Sequence, residues 1–409
     1  MISLRALREK TAWRATAPSI LLVLNSFVWF TLTYAVFDTI LNRLNLLETE
    51  KLGVFASYFV GIAISAILGA KFFPRARIKF LDLWPFMGAI ATLLLIMVSN
   101  NGLLGLLANA LLAFFLGVSI GVGLPSCLSY FADSTSVENR GLVGGIIWSA
   151  VGFAVLIFVF LISMLGLWEA IAVLTTWRLF GGFSFLFLTK QHKKLGAQKS
   201  PSYLELIRKR EILLYLFPWI MFSLINFAET PLLERVFGAE FFAFVELAVY
   251  AFIGIFAVAG GIIADVLGRK RVVIAGFVML GIEYATLSVF SNSQVALYLF
   301  LTLDGITWGL FASVFLTVIW GDLGESYEKE KYYALGGLPF LLASFLSVLI
   351  EPYASAISPT AAFSFASFFL FLAVIPLMYA PETLPEKQIR ERELKGYIEK
   401  AKKVKEKYA

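Results

Sequence analysis

Asp304, Glu283 and Arg178 stand where a charge is expensive. They lie near the middle of long apolar runs at about 295–320, 272–290 and 169–189. An ionisable group at that depth in an apolar segment is a functional candidate by default. A carboxylate such as Asp304 can take up and release a proton or pair with a cationic solute. Trp308 follows Asp304 by one helical turn on the same face. Asp38 and Glu229 lie towards the ends of two further runs and are candidates for a gate. Asn25 and Asn226, in the same two runs, can donate to a bound molecule or bridge helices. Cys127 is the only cysteine and His192 the only histidine, and His192 falls in a basic stretch outside any apolar run. A disulfide, a cysteine metal cluster, a Ser-His triad and a histidine proton relay are all excluded from these runs. No metal or cofactor site is expected.

The sharpest local pattern is Gly260-Gly261-Ile-Ile-Ala-Asp265-Val-Leu-Gly268-Arg269-Lys270-Arg271. Gly261 permits close helix packing, and Gly268 supplies the turn after a helix end. Asp265 is an anion placed to meet the positive N-terminal end of a neighbouring helix. A second pattern, Asp133-x6-Arg140-Gly141, is echoed by Asp322-x6-Lys329.

The elements that position these residues follow from composition. Of 409 residues, 59% are apolar and 15% are charged, and the mean hydropathy is +0.83. A soluble domain keeps roughly a quarter of its residues charged, so lipid is the solvent. Crossing the hydrocarbon takes about 20 apolar residues, and twelve runs qualify: about 17–41, 52–72, 81–98, 103–131, 142–165, 169–189, 212–233, 239–264, 272–290, 295–320, 332–354 and 360–379. The runs are continuous rather than alternating, which excludes a β-barrel. Ala17–Leu41 is too long for a signal peptide and reads as a first span. With the N-terminus inside, the inner segments hold 30 of the 34 basic residues, so both termini are expected in the cytoplasm. The net charge of +6 belongs to these short clusters and does not point to nucleic acid.

The chain also repeats itself. Gly69, Arg77 and Lys79 recur as Gly261, Arg269 and Arg271; Asp133 with Gly144-Gly145 recurs as Asp322 with Gly336-Gly337; Asp38-Thr39 recurs as Glu229-Thr230. Six spans return the chain to its starting side, so the two copies share one orientation. The expected organisation is a six-helix bundle over 1–190, a linker over 191–211, a second bundle over 212–384 and a charged amphipathic tail helix over 385–409. That is the parallel-repeat architecture of the major facilitator superfamily. The 260–271 motif resembles the superfamily's loop between spans eight and nine. The acid-x6-base motifs and Pro381-Glu382-Thr383 are similar to those of its sugar-porter-like members.

The resemblance implies an all-α integral membrane protein with twelve transmembrane helices in two parallel six-helix repeats. It implies a monomeric, multi-pass transporter of the cell membrane, in contact with lipid, with a small-molecule substrate and protons as partners, and not an enzyme. Spans 1, 4, 7 and 10 line the cavity in this superfamily, which favours Asp304 as the substrate or proton site. The charges Asp133, Arg140, Asp322 and Lys329 are expected in ion-pair networks that close the inner gate, with Gly261, Asp265, Gly268 and Arg269 as its latch. The corresponding loop of the first half has Phe73 in place of the acid and Ala76 in place of the second glycine, so a weaker latch is expected there. Sugar porters carry glutamines in spans five and seven, whereas all four glutamines here lie outside or at the ends of spans. A hexose is therefore disfavoured. The alternative is a transport-dead receptor or scaffold of the same fold.

Overall fold

The computed structural model describes residues 13–44, 46–99, 105–188, 198–291 and 293–385. The tail helix expected over 385–409 and the basic stretch around His192 lie outside these residues, apart from Pro385. Twelve helices are long and apolar enough to cross a membrane: Ala15–Arg43, Glu48–Phe72, Pro74–Val98, Leu106–Ser134, Arg140–Ser163, Leu167–Leu188, Arg210–Ala228, Ala239–Leu267, Arg269–Phe290, Gln294–Leu323, Glu330–Ala356 and Pro359–Tyr379. We number these spans 1 to 12. Among the described residues there is no strand, only an isolated bridge that pairs Gln198 of the linker with Tyr327. The chain is an all-α membrane protein of two six-span repeats.

The run read as 212–233 is two helices. Span 7 stops at Ala228, and a short helix, Thr230–Phe237, begins with Pro231 in its first turn. Proline has no amide hydrogen and restricts the residue before it, so it opens a new helix more readily than it continues an old one. Glu229 caps this break rather than lying within the span. Pro125 does the same at mid-depth in span 4, whose helix is interrupted between Gly121 and Leu124.

Close packing rests on glycine. A side chain at Gly141 or Gly261 would meet the other residue's backbone, one at Gly145 would meet Ala257, and one at Gly152 would meet Tyr250 and Gly254. Spans 5 and 8 are thus in backbone contact from one end past mid-depth, the approach that small residues allow in lipid. Spans 2 and 11 make the other long contact between the halves, with Phe59 against Phe345 at 5.2 Å. Span 10 departs from α-geometry over Phe311–Ile319, which is a π-helical segment. Thr317 Oγ1 accepts from Trp148 of span 5 at 2.6 Å and donates to the Ala312 carbonyl five residues back at 2.6 Å. Tyr333 of span 11 donates to the Thr317 carbonyl at 2.7 Å. Such wide turns cost helix stability and are kept mostly at functional places.

Candidate functional site

The loops 72–77, 134–140, 267–269 and 323–330 meet at one end of the bundle, called here the basic end. Its charges form a crossed network. Asp133, at the end of span 4, accepts from Arg77 of its own half and from Lys329 of the other half, the latter at 2.7 Å. Asp322, at the end of span 10, accepts from Arg269 of its own half at 3.2 Å and from Arg140 of the other half. Arg140 also binds Glu325 at 2.9 Å and the Ala132 carbonyl at 2.8 Å. Asp133 and Arg140 of the first acid-x6-base motif are therefore not direct partners. Each motif's acid meets the other motif's base. Arg140, Arg269 and Asp322 have fully buried side chains, so these pairs are screened far less than surface ones.

Asp265 is buried and accepts the backbone N–H groups of Gly141 at 3.0 Å and Leu142 at 2.7 Å. Those amides open span 5, where the helix leaves its first donors free and its dipole is positive. Arg269 binds Asp265 at 2.8 Å and the Val137 carbonyl at 2.6 Å. Gly268 has φ +105°, and a side chain there would collide with Glu382. That carboxylate accepts the amides of Arg269 at 2.8 Å and Lys270 at 3.2 Å. The first-half loop does not lack an acid in space. Phe73 stacks on Phe80 at 3.9 Å, and Glu330, which opens span 11, pairs with Arg77 at 2.5 Å. Glu330 stands in the repeat where Gly141 stands in the first half. The acid missing from the loop has moved to the helix that the loop faces. Glu325, Glu330 and Arg77 were not read from the sequence as gate residues, because the pairs that join them to the opposite half do not show in a linear motif.

Two polar clusters occupy the interior. In the first half, Arg178 is fully buried between the rings of Trp29 and Trp84, each 4.3 Å away. It donates to Asn25 Oδ1 at 2.8 Å and Ser26 Oγ at 2.9 Å. Asn25 in turn donates to the Trp177 carbonyl at 2.6 Å. The Asn25 amide is thus engaged in fixing span 6 to span 1. Cation–π contact supplies roughly 2 kcal/mol per ring when desolvated, which offsets much of the cost of burying the charge.

In the second half, Glu283 and Asp304 are buried, and the Glu283 charge lies within reach of the Asp304 charge across spans 9 and 10. Both Glu283 oxygens, Asp304 Oδ1, Tyr284 Oη and Thr307 Oγ1 have no hydrogen-bond partner. Tyr284 feels Glu229, Glu283 and Asp304 together. Trp308 is half-buried beside them and meets Phe222 at 5.1 Å, Phe340 at 6.0 Å and Phe227 at 6.3 Å. Asn226 is half-buried in the last turn of span 7. Asp38, near the end of span 1 and likewise away from the basic end, is half-buried and accepts from Asn42 at 3.2 Å, with Glu351 of the other half near enough to repel it. No group of three or more His, Cys, Asp or Glu side chains among the described residues is arranged to hold a metal.

A family model described as Major Facilitator Superfamily matches residues 245–406. The matched stretch lies in the second half of the chain, and there the sequence is similar to the major facilitator superfamily. The chain's fold is similar to that of the human organic anion transporter MFSD10 (TETRAN), with a TM-score of 0.63, 16% identity, and coverage of 89% of this chain and 99% of that one. It is also similar to the proton:xylose symporter XylE bound to 6-bromo-6-deoxy-D-glucose, with a TM-score of 0.67, 15% identity, and coverage of 91% and 96%. No curated protein matches the sequence significantly. The twelve apolar spans and these likenesses make the chain a multi-pass membrane protein with the fold of these solved transporters.

The crossed pairing predicts unequal couplings. In a double-mutant cycle on thermal stability, Asp133→Asn with Lys329→Gln should show an interaction energy of about 1–3 kcal/mol, whereas Asp133→Asn with Arg140→Gln should add to within about 0.5 kcal/mol. Equal couplings would mean the acids and bases are not paired across the halves.

Glu229 gives a pH signature. Burial raises its carboxyl from 4.5 to about 7. A raised acid holds its proton more tightly in the folded state, so the stability it confers is full below the unfolded value and is lost as pH rises through the folded one. Melting curves of Glu229→Gln should match the wild type below about pH 4.5 and exceed it above about pH 7. The gain should reach at most about 3 kcal/mol. Parallel curves at all pH values would refute this.

Proposed function

We propose that this protein is a small-molecule transporter that works by alternating access as a monomer in the cell membrane, with both termini cytoplasmic, and that a proton carried on Asp304 couples the gradient to the cargo. One observation carries this reading. Four buried or half-buried ion pairs at the basic end, Arg77–Glu330, Lys329–Asp133, Arg140–Asp322 and Arg140–Glu325, join one half to the other. Halves that rock against each other need a closed end made of contacts that can be broken and remade as a set. A static receptor or scaffold has no need of them. The excess of Lys and Arg at this end supports placing it inside. With no histidine in any span, a buried carboxylate is the group able to move a proton, and XylE, a structural neighbour, is by its name a proton symporter. Trp308 and the rings around it line the face next to Asp304 and would contact the cargo.

Two variants test the reading. Asp265→Asn weakens the two charge-assisted bonds to the start of span 5 and should favour opening of the basic end by about 1–2 kcal/mol. Single-cysteine reporters at that end should become more accessible; the native Cys127 is buried and silent. Unchanged labelling would remove the latch role. Asp304→Asn, assayed in proteoliposomes with a substrate found by thermal-shift screening, should lose proton-driven accumulation while retaining exchange. If it accumulates substrate normally, the proton is carried elsewhere.

A further inference from the structure

We propose that the linker around residues 198–210 is a strap across the basic end and that anionic lipid headgroups hold it there. This rests on the reading that the basic end opens and closes, and it adds a partner that favours the closed form. On one side the strap is fastened to the second half. Gln198 donates to the Ser326 carbonyl at 3.2 Å and accepts from the Glu328 amide at 2.9 Å, a parallel bridge onto the loop that carries Glu325 and Lys329. Lys331, in the first turn of span 11, donates to the Pro201 carbonyl at 2.7 Å. On the other side the strap is fastened to the first half, where Tyr203 donates to the Ile67 carbonyl of span 2 at 3.1 Å. Between the two fastenings Ser200 is buried, and Ser202 and Glu205 cap a short helix, Tyr203–Arg208, whose Leu206 is fully buried. The ends of spans 2 and 11 cannot part at the basic end unless one fastening gives way.

The place where the strap lies selects the partner. Val60, Ile64, Ile67 and Leu68 of span 2 are exposed and recur at helical spacing, so they form one stripe. On a membrane-spanning helix an exposed apolar stripe faces the lipid tails. Ile67 belongs to that stripe, and exposed Lys71 follows it by one turn. Tyr203 is therefore seated on the lipid-facing flank of span 2, close to its end. The linker helix carries the apolar surface onward: Leu204 is 60% exposed and Ile207 41%, three residues apart on one face. Such side chains, beside a lipid-facing helix, are covered by the boundary between headgroups and acyl chains, where amphipathic segments rest. The charge fits one class of lipid. Residues 198–211 hold four bases, Lys199, Arg208, Lys209 and Arg210, against two acids, of which Glu205 is engaged in the cap. Lys209 lies over the Tyr327 ring at 5.0 Å, while Lys199, Arg208 and Arg210 are exposed. Exposed bases at a membrane surface attract anionic headgroups. Free phosphate matches the bases but leaves Leu204 and Ile207 uncovered; an anionic lipid satisfies both. Held on the bilayer, the helix keeps Tyr203 on span 2 and draws the 323–330 loop with it, which favours the closed end.

The test uses the full chain in nanodiscs of phosphatidylcholine, alone or mixed with phosphatidylglycerol as the anionic lipid. Opening is read as the labelling rate of a single-cysteine reporter at the basic end. Phosphatidylglycerol should slow labelling several-fold, and raised salt should remove the difference by screening the exposed charges. Arg208→Gln combined with Arg210→Gln should abolish the lipid effect and leave the melting temperature in phosphatidylcholine unchanged. Tyr203→Phe, which deletes the bond to Ile67, should speed labelling in both lipids. Inorganic phosphate added to phosphatidylcholine discs should have no effect. The proposal fails if labelling is the same in both lipids, if the double variant keeps the full lipid effect, or if inorganic phosphate reproduces it. It fails equally if Tyr203→Phe labels at the wild-type rate. Where Asp265→Asn speeds labelling and lipid does not alter it, the lipid-held strap is refuted and the gate stands. Where neither Asp265→Asn nor lipid alters labelling, the gate reading is refuted with it.

Discussion

Asp133 and Asp322 each hold two bases, one from their own half and one from the other. The own-half bond, to the arginine that opens span 3 or span 9, fixes a loop. The cross-half bond ties that loop to the opposite bundle. Because the acid is shared, the internal order of a half and its grip on its partner draw on one carboxylate. Removing one member of such a buried pair strands a charge and costs about 3–5 kcal/mol. The network therefore resists partial opening: it either stays whole or separates along the boundary between the halves. Gly141 and Gly261 serve the same end, since their close approach brings Asp265 within reach of the first amides of span 5.

The twelve spans were legible because lipid imposes a length and a composition on every one of them. The repeat was legible as offsets in a single chain. Span 7 was drawn too long because hydropathy does not register a missing amide hydrogen, and Pro231 ends the helix where the apolar character does not end. Pairing was less legible. Asp133 and Arg140 are seven residues apart, and that spacing suggests a local pair. The actual partners come from 182 and 196 positions away, and only the superposition of the repeats brings them together. Phe73 looked like the loss of a latch because a linear motif shows one side of a contact. The acid at Glu330 restores it from the other side, at the position where the first half has Gly141. Asn25 read equally well as a donor to substrate, and its engagement with Trp177 and Arg178 appears only once spans 1 and 6 are packed.

The two interiors have opposite charge. The first half buries a guanidinium between two indoles, with amide and hydroxyl oxygens as its acceptors. The second buries carboxylates with unpartnered hydroxyls. The gene-like repetition of the loops does not extend to these sites. Conserving the crossed pairs at the basic end demands symmetry, because each half must present what the other lacks. Nothing demands it at mid-depth. A cation settled by aromatic faces is fixed and needs no further partner of opposite charge. Acids without a base are neutral only through something that can leave.

Span 10 connects the two systems. It carries Asp304 in its first half and Asp322 at its end, and between them lies the π segment Phe311–Ile319. The segment is held by contacts to both halves: Trp148 of span 5 binds the Thr317 hydroxyl, and Tyr333 of span 11 binds the Thr317 carbonyl. A regular helix would pass displacement at Asp304 straight along its axis. A wide turn has an alternative, the α-register, reached by shifting one hydrogen bond per residue from five back to four back. In the proposed cycle, a change of charge at Asp304 has such a bistable element next to it, and beyond that element stands the acid on which the closed end depends. The coupling distance is then one helix, and the hinge within it is clasped by residues of the two helices whose separation it would control.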